Sequence, residues 1–139
     1  MPIQLNEQDS RRDHLSAASG GGAISVDADY TNAADVTPIH HVTAGHVDSV
    51  WVQVHNASAH NVTLSLVLNP SDDTSTSAID SVTTDVIIPQ HDSLWVLQGD
   101  SFRLRGSNTT TITGYVDAAD VGRLKITGYV VRTRGTSIY

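Results

Sequence analysis

A chain of 139 residues with no cysteine and a formal net charge of −7 has the length of one domain and can bury its own core. The missing cysteine excludes disulfides, zinc–thiolate sites and a thiol nucleophile. The acidic balance argues against a nucleic-acid partner, which needs clustered Lys and Arg to neutralise phosphate.

Glu7 is the only glutamate among fifteen acids, and Lys125 the only lysine among eight cations. Two good helix formers are therefore scarce, while Thr, Val, Ser and Asp abound, a composition that favours strands and turns. The start, Met1 to Ser10, lacks the apolar stretch of a signal peptide. No run of eighteen apolar residues occurs, so no membrane contact is expected. Residues 1–22 are polar and end in Ser19-Gly20-Gly21-Gly22. They read as an extended N-terminal arm with a flexible joint. Such an arm is either a loose terminus or a segment that orders on a neighbouring subunit.

From Ala23 onward, short apolar-alternating runs recur at 23–30, 38–43, 48–56, 61–69, 82–89, 92–98, 101–106, 110–116 and 123–133. The expected fold is all-β: one antiparallel β-sandwich or jelly-roll-like barrel of about eight or nine short strands over residues 23–139. Val50, Val52 and Val54 share one face of their run, with Trp51, Gln53 and His55 on the other. Leu64, Leu66 and Leu68 oppose Thr63 and Ser65 in the same way, and the turn at 56–61 predicts an antiparallel hairpin between these two runs. Pro70 to Asp80 reads as the longest loop. Phe102 and Leu104 are expected to point inward, Arg103 and Arg105 outward. I-T-G-Y-V occurs at 112–116 and again at 126–130. This echo predicts two neighbouring strands in which Ile, Gly and Val face the core.

Trp51, Trp95, Tyr115 and Tyr129 all fall opposite the core aliphatics of their runs, and Leu97, Val67 and Val131 share that parity. The outer faces of a sandwich should be mostly polar. Three readings follow: strands covered on both faces or slipped at a bulge, a subunit interface anchored by these aromatics, or a sugar-stacking platform.

Seven histidines are present, and His40, His41 and His46 invite a metal. Adjacent strand residues point to opposite faces, so His40 and His41 are poorly placed to share one. Asp72, Asp73 and Asp80 in the long loop, and Asp117 and Asp120 between the two echo strands, read as turn residues without EF-hand spacing. No G-x-S-x-G, phosphate loop or dinucleotide fingerprint is present. No catalytic residue, cofactor or metal is expected. The sequons at Asn56, Asn61 and Asn108 are expected to be unmodified.

His41 to Val54 (H-V-T-A-G-H-V-D-S-V-W-V-Q-V), the following H-N-A-S and N-V-T-L-S-L-V-L, and the block D-V-I-I-P-Q-H-D-S-L-W-V-L-Q-G-D-S-F-R-L-R-G at 85–106 resemble small β-sandwich proteins in the virions of tailed viruses. The ending I-T-G-Y-V-V-R is similar too. The resemblance spans residues 37–133 and rests on spacing and residue type. It implies a virion structural role without enzymatic activity: capsid decoration (cement), head–tail neck, or tail or fibre accessory. The implied partners are the major capsid protein or other virion proteins. The implied location is the particle surface, after synthesis in the host cytoplasm. A short chain, a polar arm and outward aromatics favour decoration by a small closed homo-oligomer, with a trimer preferred. A carbohydrate-binding module using Trp51 or Trp95 is the alternative outside the virion.

Overall fold

The computed structural model describes residues 11–29, 36–69, 82–99, 103–106 and 110–134. The first ten residues of the expected arm, the expected loop from Pro70 to Asp80, the expected core residue Phe102 and the sequon at Asn108 lie outside them.

The strands are β1 (Arg11–His14), β2 (Ile24–Ser25), β3 (Thr37–His41), β4 (His46–Asn56), β5 (Val62–Asn69), β6 (Val82–Ile88), β7 (Asp92–Leu97), β8 (Arg103–Arg105), β9 (Thr111–Tyr115) and β10 (Leu124–Arg134). They form two antiparallel sheets that do not close into a barrel, so the sandwich is the architecture adopted. No helix among the described residues is long and apolar enough to cross a membrane.

The larger sheet is built on β4 and β10, which pair over their full lengths, from Asn56 opposite Leu124 to His46 opposite Arg134. Both strands are rich in β-branched residues, which suit a pleated surface. On its other side β10 carries β1 and β2 end to end, and β4 likewise carries β7 and β8. The smaller sheet runs β3-β9-β5-β6. Period-two alternation sends Val50, Val52, Val54, Ile126 and Val130 inward from the first sheet, to meet Val62, Leu64, Leu66, Ile39 and Ile112 from the second. Each such side chain contributes roughly 1.5–3 kcal/mol of burial.

Four features differ from the sequence reading. The runs that became β4 and β5 do not form a hairpin, because β4 belongs to the larger sheet and β5 to the smaller. The two I-T-G-Y-V segments are not neighbours, since β9 and β10 also lie in opposite sheets. Leu97 faces the core rather than solvent. The pairing runs Gln53 with Trp95 and then Val52 with Leu97, so Val96 is an extra bulge residue that resets the alternation. The polar segment before Ala23 also packs on the body: Arg11–His14 is a strand, and Leu15 and Ala18 join the core. Two isolated apolar residues produce no periodicity that a sequence scan could register.

Asn56 explains the missing hairpin. It is buried at the end of β4, where its Nδ2 donates to the carbonyls of His60 at 2.8 Å and Ile88 at 2.9 Å. Its Oδ1 accepts from the Ser58 amide at 3.0 Å and the Ser58 hydroxyl at 2.7 Å. These bonds fix residues 57–61 as a crossover between sheets, because Ile88 belongs to β6 of the opposite layer. Asn56→Ala leaves a buried carbonyl without its donor. The expected cost is roughly 2–3 kcal/mol, read as a lower urea midpoint with an unchanged slope.

Candidate interaction surface

The outward face of the larger sheet carries three of the four candidate aromatics. Trp51 on β4 is directly opposite Tyr129 on β10, and directly opposed residues share a face. Their rings stack at 5.0 Å between centroids with an interplanar angle of 10°. The Arg12 guanidinium from β1 lies 3.9 Å over the other face of Tyr129, a cation–π contact. A Cβ at Gly99 would overlap three carbons of the Trp51 six-membered ring, so the bare backbone there lies against that ring. Gly99, Trp51, Tyr129 and Arg12 thus form one continuous stack. Both aromatic members are half-buried.

Trp95 is on the same face, opposite Gln53, and remains 45% exposed. Ile87, 61% exposed, is opposite Thr63 on the outward face of the smaller sheet and so is not part of this group. Neither is Tyr115. It pairs with Ser65 in the smaller sheet, whose outward neighbours Thr63, Thr113 and Thr83 make a hydroxyl-rich surface. The expected four-aromatic patch is therefore three residues on one face and one on the opposite face.

Between the sheets, at the end of the sandwich formed by β1, β3 and the start of β4, sits a buried polar network. Asp48 on β4 and His40 on β3 have fully buried side chains, with His40 Nε2 at 2.7 Å from Asp48 Oδ2. Arg132 on β10 grips the same carboxylate with its Nε at 2.9 Å and Nη2 at 3.0 Å, the bidentate geometry that suits guanidinium. The Ser16 amide donates to His40 Nδ1 at 2.9 Å. A backbone N–H can only donate, so Nδ1 accepts, and the ring proton sits on Nε2 facing Asp48. Arg132 Nη1 also lies 3.7 Å from Asp13 on β1. Burial alone would raise the Asp48 carboxyl. The hydrogen bonds from His40 and Arg132, with the charge on Arg132, outweigh it and hold the carboxyl below its ordinary value. The Asp48 hydrogen bond in turn raises Arg132.

This network uses one of the three histidines that invited a metal. His40 is in the core, His41 is exposed on the next position, and His46 is half-buried with an Nδ1 that has no hydrogen-bond partner among the described residues. Sequence reasoning missed Asp48 and Arg132 altogether, because a lone Asp in a valine-rich strand looks like an outward residue. The alternation gave the one available signal: Asp48 shares the parity of Val50, Val52 and Val54. Asn56, part of a sequon, has both ends of its amide engaged in the crossover.

Comparison with protein-family models, with curated proteins and with solved structures finds no match for this chain. The class is defined by the architecture itself: an antiparallel β-sandwich whose larger sheet displays a supported aromatic–guanidinium stack.

Asp48→Asn removes the charge that Arg132 and His40 surround. The expected loss at neutral pH is roughly 3 kcal/mol, as for other broken buried pairs. The Asp48 carboxyl is lowered in the folded state, so its contribution is present above the unfolded carboxyl value of about 4 and disappears as pH falls through the folded value. The gap between the variant and the natural chain should therefore close in acid, as measured by denaturant unfolding across pH. Gly99→Ala drives a methyl into Trp51. It should cost roughly 1–3 kcal/mol and change the near-ultraviolet circular dichroism of the stacked rings.

Proposed function

We propose that this chain is a virion structural protein of the capsid-decoration type, which binds and reinforces a viral shell through protein–protein contacts and carries out no chemistry of its own. The observation that carries the binding half of this reading is the outward face of the larger sheet. Trp, Tyr and Arg are the residues that anchor protein interfaces, and here Arg12, Tyr129 and Trp51 are ordered by one another before any partner arrives. Side chains already held in one geometry lose less entropy on docking. The virion half rests on the resemblance across residues 37–133. Many weak contacts repeated over a shell would gain strength through multivalency, and a small cyclic homo-oligomer, a trimer by preference, would present several such faces at once. Reinforcement would come from surface buried between shell subunits, which raises the barrier to their separation.

A second reading has its own support. Trp95 is the one ring of the three left largely open, and an exposed tryptophan on a sheet face is a platform for a sugar ring.

Copy number tests the proposal. Mass-spectrometric quantification against the major shell protein in purified particles should give on the order of one copy per shell subunit, since reinforcement needs contacts repeated over the whole shell. A single ring's worth of copies would move the protein to the neck or tail. Absence from particles overturns the virion reading, and glycan binding lost in Trp95→Ala would then replace it.

A further inference from the structure

The charges of this acidic protein are sorted by face. Arg12, Arg103, Arg105 and Lys125 lie opposite Val131, Ser49, Val47 and His55 respectively, which places all four on the outward side of the larger sheet. All four are exposed, and they are half of the chain's eight cations. No acid occupies an outward strand position of that sheet among the described residues. Asp13 and Asp48 share the inward parity and bond Arg132, Asp85 is in the smaller sheet, and Asp92 pairs with buried Asn56 at the end of β7. Arg103 and Arg105 have no ion-pair partner among the described residues. A net charge of −7 therefore conceals a cationic face that also holds the aromatic stack.

We infer that this face docks onto an acidic protein surface, with Arg12, Arg103 and Arg105 meeting carboxylates and Trp95 inserting as the apolar anchor. The inference rests on the reading of the chain as a protein-binding module and specifies the chemistry of its partner. Two observations select a carboxylate-bearing protein over other anions. The cations are arginine in three of four cases, and the guanidinium fork matches a carboxylate bidentately. Two of the three rings on this face offer no free surface to a nucleobase or sugar, since Tyr129 lies between Trp51 and Arg12 and Trp51 between Tyr129 and Gly99, which leaves Trp95 alone for stacking.

The probe is fluorescently labelled poly-L-glutamate, titrated with the full chain and followed by anisotropy, beside a single-stranded oligonucleotide and a sulfated dextran of matched length. Poly-glutamate binding should weaken as salt rises and fall about tenfold or more in Arg103→Glu/Arg105→Glu. Thr83→Glu, an exposed position on the smaller sheet, should leave it unchanged. The neutral double variant Arg103→Ala/Arg105→Ala, with a preserved thermal midpoint, separates lost contact from lost fold. No binding to poly-glutamate, equal binding by the charge-reversed chain, or tighter binding to the oligonucleotide or dextran overturns the inference. No particles enter this experiment, so its failure is separate from any failure of the copy-number test.

Discussion

The Asp48 carboxylate is where the two layers of this sandwich are tied together at one end. It is fully buried on β4 of the larger sheet, yet its partners come from both layers: His40 from β3 and Arg132 from β10. Removing a charge from water costs several kcal/mol unless it is both paired and hydrogen-bonded. Asp48 meets both conditions, with the bidentate guanidinium on one side and the imidazole on the other. The chain from Ser16 to His40 to Asp48 to Arg132 to Asp13 then extends the same network out to β1. The hydrophobic contacts elsewhere in the interior are tolerant of small slips. A network with fixed donors and acceptors is not, so it sets how the N-terminal strand, the smaller sheet and the long central pair sit at that end.

This anchoring bears on the exposed surface as well. Arg12 lies one residue before Asp13, and strand alternation turns their side chains to opposite faces. While Asp13 stays beside Arg132, Arg12 is held over Tyr129. The polar interior and the aromatic exterior are thereby coupled through one short strand. A surface that depends on a buried network for its shape is preorganised in the sense that matters for association.

The fold was legible where the alternation was unbroken. Val50, Val52 and Val54, Leu64 and Leu66, and the Ile and Val of both I-T-G-Y-V segments all face inward as their parity requires. Partnership between strands was not legible. A period of two says which side chains are inside but not which strand lies alongside, and β4 and β5 were separated by the hydrogen bonds of one asparagine. Leu97 was hidden by a single bulge residue, Val96. Leu15 was hidden because it stands alone in a polar stretch. The candidate aromatics were found by parity, but their division between two sheets was not, because Tyr115 and Tyr129 sit in identical local sequences. The cationic face was invisible for a related reason: Arg12, Arg103 and Lys125 are far apart in the chain and meet only through β4 and β10.

The end-to-end placement of short strands along β4 and β10 limits how backbones of separate copies can pair. A sheet edge is a template for adding another strand, and long flat edges invite uncontrolled polymerisation. The flanks of the larger sheet are strands of four and two residues on one side and six and three on the other. Each flank is interrupted midway. The six-residue strand carries the Val96 bulge near its end, which adds local twist. An incoming strand would find only brief stretches of unsatisfied backbone in register. The rim of the larger sheet is therefore a poor template for β-addition, and the longest continuous edge left among the described residues is β6, at the border of the smaller sheet.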